Sequence, residues 1–277
     1  MTDAKPVIRT ITLQHPLRWL ALGWRDIGRS GGWLSFAHGL TLSIFGLLLL
    51  SLAHHQFWLL AGAFSGFLVV APILATSLYG MSRSIENGQK PGWGLVWHTW
   101  MSWRRHGDSA NGKDWRLVKF GLLLGLAGTG WVLTSAALIT FLSPVPIEQP
   151  MDFLRHVVIA RNNWLFELWL TLGGLMAAPI FASSAIAIPL LLDRRIGLLQ
   201  AVVTSWEAVL TNPAPMAWWA TLIMGFSLLG LCSALLGLIA VVPMLGHGTW
   251  HAYRDLVDAS ALPERTARHS TTKAESR

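Results

Sequence analysis

Long apolar segments alternate along the chain with shorter polar and basic segments. Four apolar segments cover residues 33–53, 57–79, 117–142 and 164–192. A single α-helix needs about 20 apolar residues to cross a bilayer, and each segment meets that length. The pattern therefore predicts an integral membrane protein built from transmembrane helices.

A fifth apolar segment, from Met216 to Gly246, has 31 residues without a charge. One helix of that length would be about 46 Å long, compared with a hydrocarbon core of about 30 Å. Two helices would each be rather short. The positive-inside rule favours two, because six spans with a cytoplasmic N-terminus leave 19 of the 21 Lys and Arg residues inside. We therefore expect a turn near Gly230–Ser233.

Every second predicted span carries a proline in its interior. The three prolines are Pro72 in VVAPILATS, Pro179 in AAPIFASS and Pro243 in VVPMLGHG. This recurrence indicates three consecutive helical hairpins in one orientation. The expected fold is an all-α membrane protein, a six-transmembrane-helix bundle of three helical hairpins with additional interfacial amphipathic helices.

The polar segments suggest the domain organisation. We expect an N-terminal cytoplasmic or interfacial segment at 1–32, the six-helix transmembrane domain at 33–258 and a disordered cytoplasmic tail at 259–277. The first segment mixes tryptophan, leucine and arginine, as an amphipathic helix on a membrane surface does. A second such helix is predicted by a stripe of tryptophans spaced by four, three and three residues: Trp93, Trp97, Trp100 and Trp103.

The prolines also predict polar groups inside the bundle. Proline lacks an N–H, so the carbonyl four residues earlier loses its helical partner and must face protein, a hydroxyl or water. The residues four positions after the prolines are polar, namely Thr76, Ser183 and His247. They are candidates for a shared polar cavity. The alternative, which we weigh more heavily for Thr76 and Ser183, is that their hydroxyls bond back to their own helices.

Three histidines are candidates for a metal or haem site. His247 and His251 lie four residues apart on one helix face, and His38 lies at a similar predicted depth in the first span. The pair lacks the glutamate of an HExxH motif, because the sequence reads HGTWH. The alternative is that these are interfacial histidines bonded to backbone or headgroups, and we favour it because two or three ligands do not complete a site.

Composition narrows the remaining function classes. Charged residues make up 13% of the chain, against about 25% in soluble domains. The single cysteine, Cys232, excludes a disulfide framework and a cysteine-rich metal site. The net charge of +7 follows membrane topology, so nucleic acid is not an expected partner. No Walker or G-x-S-x-G motif is present, so no catalytic residue is assigned and an enzyme is not the favoured class.

Four segments resemble those of the DUF2189 family of predicted bacterial integral membrane proteins: ITLQHPLRWLALGWRDI, APILATSLYGMSRSIENGQKP, PLLLDRRIGLLQAVVTSWEAVLTNP and PMLGHGTWHAYRDLV. The resemblance covers about residues 8–258. It implies a multi-pass protein of the bacterial inner membrane and provides no functional residues. Some members carry names linked to cytochrome c oxidase subunit I, but this chain has too few spans and buried histidines for a haem–copper core subunit.

Three functions are then compatible with the sequence. The favoured one is a non-enzymatic accessory, scaffold or assembly partner of another membrane complex, such as a respiratory complex, with both termini cytoplasmic. The second is a small transporter or channel that uses the polar cavity near Thr76, Ser183 and His247. The third is a haem-binding or metal-binding membrane protein.

Overall fold

The computed structural model describes residues 5–53, 75–101, 114–147, 150–160 and 164–265, and most of them are helical. The helices, in chain order, are α1 His15–Arg29, α2 Trp33–Ala53, α3 with described residues 75–86, α4 Trp93–Trp100, α5 Arg116–Leu142, α6 Pro150–Phe153, α7 Leu165–Ser184, α8 Ala187–Asp193, α9 Leu198–Thr211, α10 Pro213–Cys232 and α11 Leu238–Leu256. A π-helical turn at Leu154–Val158 follows α6, and two short strands, β1 Val7–Ile8 and β2 Val257–Asp258, pair with each other.

Several helices have the length and apolarity of membrane spans. Among the described residues these are α5, the continuous stretch of α7 and α8, and α10. The pair α1 and α2, bent by 108°, adds a fourth if it is counted as one span. The structure therefore confirms the all-α class but not the six-span bundle. The predicted span 57–79 and Pro72 lie largely or wholly outside the described residues, and α11 is too polar to qualify because its second half carries His247, His251, Arg254 and Asp255.

The long uncharged segment does contain two helices. α10 ends at Cys232 and α11 begins at Leu238, so the turn lies slightly later than predicted. Ser233 stabilises this turn, since its hydroxyl donates to the Gly230 carbonyl and accepts from the Gly237 amide, both at 2.8 Å. The distribution of Lys and Arg, which favoured two helices over one, therefore gave the correct division of this segment.

The first and last parts of the chain lie side by side. Val7 pairs with Asp258 and Ile8 with Val257 in an antiparallel arrangement, and Arg9 donates to the Asp258 carboxylate at 2.6 Å. α1 packs along α11, and the buried face of α1 includes Trp19. The predicted N-terminal amphipathic helix is therefore packed into the helical assembly, against α11.

Close backbone approaches hold α11 between α1 and α2. A Cβ atom at Gly23 of α1 would overlap the Met244 carbonyl and lie 2.8 Å from the Gly248 amide. A Cβ atom at Gly39 of α2 would overlap the backbone of Ile239, whose carbonyl is the one that Pro243 leaves without a helical partner. The released carbonyl therefore faces protein, as membrane-embedded backbone requires.

Charged side chains from distant segments meet around Asp193, at the end of α8. Its carboxylate accepts from Arg83 Nε at 2.9 Å, Arg194 Nε at 2.9 Å and the Tyr253 hydroxyl at 2.7 Å. Arg83 lies on α3 and Tyr253 on α11, so this cluster joins three helices.

A second carboxylate, that of Asp114, forms an ion pair with Arg265 in the segment that follows β2. Arg116 and Arg265 each donate to it at 2.7 Å, and the Arg265 amide donates to the Asp193 carbonyl at 2.9 Å. Burial raises the pKa of Asp114, but hydrogen bonds from Arg116 and the charges of Arg265 and Arg116 outweigh this and hold the pKa below its ordinary value. Ordered packing thus continues through residue 265, past the predicted domain boundary at 258, with Ala259 and Leu262 buried.

Candidate functional site

The centre of the candidate site is His247 on α11, which is 0% exposed. Its Nε2 lies 2.9 Å from the Ser35 hydroxyl on α2, and its Nδ1 lies 2.7 Å from the Ser82 hydroxyl on α3. Both ring nitrogens are therefore occupied by protein partners.

Hydrogen bonds continue from both serines. Ser82 lies 2.8 Å from Asp26 Oδ2 on α1, and the same oxygen accepts from His251 Nε2 at 2.9 Å. On the other side Ser35 lies 2.6 Å from Ser30, whose hydroxyl also lies 2.8 Å from a main-chain carbonyl. We call the connected side chains the His247 network: Ser30, Ser35, His247, Ser82, Asp26 and His251.

Local sequence places the Ser30 end of this network. Gly31 and Gly32 adopt φ angles of +89° and +67°, which glycine tolerates without steric strain. These glycines make the bend between α1 and α2. Ser30 and Ser35, on either side of the bend, therefore come within hydrogen-bond distance of each other.

Each hydroxyl has one hydrogen to donate. The acceptor of the Ser30 hydrogen therefore sets the donor and acceptor roles of the other side chains in the network. In the first arrangement Ser30 donates to Ser35, and Ser35 donates to His247 Nε2. A neutral His247 then donates from Nδ1 to Ser82, and Ser82 donates to the ionised Asp26. Every bond along this path is made with a neutral imidazole, but the Ile27 carbonyl then loses the hydrogen bond from Ser30.

In the second arrangement Ser30 donates to the main-chain carbonyl, so Ser35 must donate to Ser30. Ser35 can then only accept from His247 Nε2. Both His247 Nδ1 and the Asp26 carboxylate now require the one hydrogen of Ser82. This arrangement completes every hydrogen bond only with a further proton, on the imidazole or on the carboxylate.

The third predicted histidine, His38, lies outside the His247 network and has its own hydrogen-bond partners. Its Nδ1 donates to the Leu34 carbonyl at 2.9 Å, and its Nε2 lies 2.7 Å from the Ser77 hydroxyl. Within the described ranges no group of three or more His, Cys, Asp or Glu side chains is arranged to hold a metal ion. The proposed haem or metal site at His38, His247 and His251 stays a prediction.

The three candidates for a shared polar cavity have different surroundings. Ser183 accepts from Trp206 Nε1 at 2.9 Å, Thr76 is 2% exposed on α3, and His247 is engaged as described. Pro179 and Pro243 do lie inside helices, as predicted. None of the three polar candidates lines the apolar cavity between α2, α3, α4, α10 and α11. The shared polar cavity of Thr76, Ser183 and His247 therefore stays a prediction.

A largely apolar cavity of about 290 Å³ lies between α2, α3, α4, α10 and α11. Its apolar lining includes Ala37, Leu42, Leu78, Ile223, Val242 and Leu245. Its polar or aromatic lining includes His38, Thr41, Tyr79, Trp93, Trp100 and Thr249.

Trp100 supplies the unusual feature of this cavity. Its indole packs edge-on against His38, with ring centroids 5.9 Å apart. Of the side chains that the structure describes, Trp100 holds the one buried nitrogen or oxygen atom, Nε1, without a hydrogen-bond partner. An indole nitrogen can only donate, and a buried donor left unpaired costs about 1–3 kcal/mol. Protein atoms enclose this nitrogen, so it is not presented to the open volume of the cavity.

Sequence reasoning found His247 and His251 but missed their partners. Asp26 did carry a local signal, because it shares the buried face of α1 with Trp19, Gly23 and Ile27. Ser35 and Ser82 carried none, since a serine in an apolar helix usually bonds to its own backbone.

The comparisons with known proteins agree with the membrane assignment. The family DUF2189, described as a predicted integral membrane protein, matches residues 59–193, just under half of the chain. This match confirms the predicted resemblance over residues 59–193 of the predicted 8–258, and the chain is an integral membrane protein. The matched region does not include α1, α2 or α11, so it contributes only Ser82 to the His247 network. No curated protein and no solved structure matches the chain.

Proposed function

We propose that this integral membrane protein, similar over residues 59–193 to DUF2189, is a non-enzymatic accessory or assembly partner of another complex in the bacterial inner membrane. The observation that carries the proposal is the exposure of α5. Only 11% of its most apolar stretch is buried within the chain, although the helix is 27 residues long. Its outward face presents large apolar side chains at Leu122, Leu126, Leu133 and Phe141.

The accessory role also requires a rigid body that presents this face. α5 packs chiefly on α7, where Trp131 and Trp169 have ring centroids 5.6 Å apart. The start of α5 is tied to the C-terminal segment through Asp114 and Arg265. The hairpin formed by α5 and α7 is thus anchored at one end, while the apolar face of α5 remains available to lipid or to a partner helix.

The proposal includes six spans in three like-oriented hairpins, with both termini cytoplasmic. The pairing of β1 with β2 supports a common side for the two ends of the chain. Further support comes from Arg83, Arg116, Arg194 and Arg265, which come from three separate polar segments and converge on Asp193 and Asp114. Reporter fusions at Met1 and Arg277 test this topology, and reporters on opposite sides of the membrane would refute it.

The accessory role is tested by native electrophoresis of membranes that contain the tagged protein. We expect it to migrate in stoichiometric amount with a larger complex, whose assembly falls in a deletion strain. The variant Leu126→Ala, Leu133→Ala should lose this comigration, whereas Leu228→Ala, Leu229→Ala on the exposed face of α10 should retain it. Migration of the wild-type protein alone, with every membrane complex unchanged by the deletion, would refute the role.

A second candidate function is proton-coupled transport, and the His247 network favours it. The network links α1, α2, α3 and α11 through hydrogen bonds of 2.6–2.9 Å. Its donor and acceptor roles can be filled with either of two proton counts. Proteoliposomes with an internal pH dye and an imposed potassium potential would test it. Proton entry above that of empty liposomes, reduced in Ser82→Ala but not in Ser135→Ala, would support transport. Equal entry in all vesicles would remove it.

A further inference from the structure

We infer that the exposed side of α1 binds anionic phospholipids, with its arginines on the lipid phosphates and its apolar side chains among the acyl chains. The inference does not depend on the accessory role, because it concerns a different helix, and it needs only that α2 crosses the membrane. It rests on the angle between α1 and α2, on the arrangement of side chains around α1, and on three arginines that have no acidic partner among the described residues.

The direction of α1 places it close to the membrane plane. α2 is a mostly apolar helix of 21 residues, long enough to cross the hydrocarbon core. α1 is bent from it by 108°, at the break that contains Gly31 and Gly32, so it runs nearly at right angles to such a span. Trp24 and Trp33, one on each side of the break, are 54% and 67% exposed, as tryptophans at the membrane interface are. α1 therefore lies at the level of the lipid headgroups.

The side chains of α1 form three stripes along the helix. One stripe, which includes Trp19 and Gly23, is buried and packs against α11. A second stripe is exposed and apolar, and it consists of Leu17, Ala21 and Trp24, which recur at the spacings of four and three residues that define one helix face. Acyl chains cover such side chains when a helix lies in the interface, so this stripe faces the hydrocarbon.

The third stripe carries positive charge. Arg18, Arg25 and Arg29 are exposed and follow each other at spacings of seven and four residues, so they share one face beside the apolar stripe. None of the three pairs with a carboxylate in the described part of the chain, whereas the partly exposed Arg9 and Arg254 each do. A basic stripe beside an apolar stripe is typical of helices that bind at the surface of an anionic membrane.

Charge and side-chain chemistry both select an anionic phospholipid as the occupant. A guanidinium group binds phosphate oxygens through two parallel N–H donors. Each arginine near an anionic leaflet adds roughly fivefold to the affinity, and a zwitterionic lipid lacks the net charge that provides this gain. A soluble phosphate would leave the apolar stripe uncovered. The surface therefore selects an anionic headgroup and acyl chains together.

Native mass spectrometry of the delipidated protein in detergent provides the main test. The probes are phosphatidylglycerol and phosphatidylcholine with identical acyl chains, added separately. We expect the wild type to bind the first molecule of phosphatidylglycerol roughly tenfold more tightly than phosphatidylcholine. The variant Arg18→Gln, Arg25→Gln, Arg29→Gln should lose most of this preference. The variant Arg18→Lys, Arg25→Lys, Arg29→Lys should keep it, because lysine retains the positive charge.

A matched control changes three exposed cations outside α1. The variant Lys119→Gln, Arg155→Gln, Arg195→Gln removes the same amount of charge and should keep the preference for phosphatidylglycerol. An equal loss in this control would show a general effect of net charge and would overturn the inference. Equal affinity of the wild type for the two lipids would overturn it as well.

Two further measurements test the contact with acyl chains. Glycerophosphoglycerol, which is the same headgroup without acyl chains, should not displace phosphatidylglycerol at about tenfold excess, and full displacement would contradict a lipid-binding surface. The variant Leu17→Ser, Trp24→Ser should weaken binding of phosphatidylglycerol roughly tenfold, whereas Leu228→Ser, Leu229→Ser on the exposed side of α10 should not change it. Equal affinity of these two variants would also contradict the site.

Discussion

The assembly of α1, α2 and α11 and the hairpin of α5 and α7 are held together in different ways. In the first region, glycines bring backbones into contact and the His247 network crosses between helices. In the second, the contact is made by aromatic side chains, and Ser135 adds one hydrogen bond from Trp169 Nε1 at 2.6 Å. α5 is the more exposed of the two helices, since 11% of its most apolar stretch is buried, compared with 50% for the stretch of α7 and α8.

This difference shows two uses of a membrane environment. Helix association in lipid depends on close packing and on polar contacts, because lipid tails are as apolar as leucine. The first region uses both and should admit one arrangement only. The second presents apolar side chains that lipid or another helix can cover equally well, as an accessory protein requires.

The largest effect should come from breaking the link between the two regions. Asp193→Asn removes the carboxylate shared by Arg83, Arg194 and Tyr253. The two arginines then keep only the exposed Glu264 carboxylate, at 4.0 and 3.6 Å, as an acidic partner. We expect a loss of about 3 kcal/mol, because removal of one partner from a buried ion pair is strongly destabilising. Thermal unfolding in detergent, followed by circular dichroism, measures it.

The matched control is Glu86→Gln, whose partner Arg254 lies at 2.8 Å in a half-exposed pair. Glu86 also accepts from Trp250 Nε1 at 3.0 Å, and the glutamine oxygen can keep that bond. Exposed pairs contribute less than about 1 kcal/mol, so this variant should unfold close to the wild type. Similar losses in the two variants would show that the Asp193 cluster does not couple the regions.

The next effect separates the glycines of the two regions. Gly23→Ala introduces a methyl group into the backbone of α11, and we expect a loss of about 2 kcal/mol from this overpacking. Gly130→Ala on α5 meets no atom within 4 Å and should raise stability slightly, because alanine favours a helix by about 1 kcal/mol over glycine. Unfolding midpoints that shift in the same direction would contradict the contrast.

Local patterns predicted a large part of this fold. The bounds of α2 and the length of α5 follow from apolar length and bilayer thickness, which are properties of neighbouring residues. The division of the uncharged segment follows from the distribution of Lys and Arg along the chain. The i,i+4 spacing likewise identified His247 and His251. The contacts of Asp26, Ser35 and Ser82 join residues far apart in sequence, and a single sequence contains no signal that pairs them.

The cavity was beyond sequence reasoning for a related reason. The tryptophan stripe correctly predicted α4, and it indicated one interfacial face for all its members. Trp93 and Trp97 are indeed exposed, whereas Trp100 packs beside His38. Which indole is left without a partner depends on every neighbour in three dimensions.

A pair of serine variants compares polar contacts in the two regions. Ser82→Ala leaves Asp26 and His247 without their shared partner, and we expect a loss of about 2 kcal/mol from unsatisfied buried groups. Ser135→Ala removes one half-buried contact to Trp169 and should cost about 1 kcal/mol. Denaturation of both variants in the same detergent measures the difference. An equal or larger loss in Ser135→Ala would show that polar contacts do not stabilise the first region more than the hairpin.

The smallest effect concerns acid stability at the anchored end of the hairpin. Because the pKa of Asp114 is lowered in the folded protein, its carboxylate stabilises the fold fully above its unfolded pKa of about 3.9, and this contribution is lost as pH falls through the lower folded pKa. Unfolding midpoints measured between about pH 5 and 2 should therefore converge for the wild type and Asp114→Asn, which cannot titrate at this position. A constant difference across that range would show that Arg116 and Arg265 act on Asp114 through packing alone. Convergence would show that charge holds the base of α5, while side-chain packing holds the rest of the hairpin.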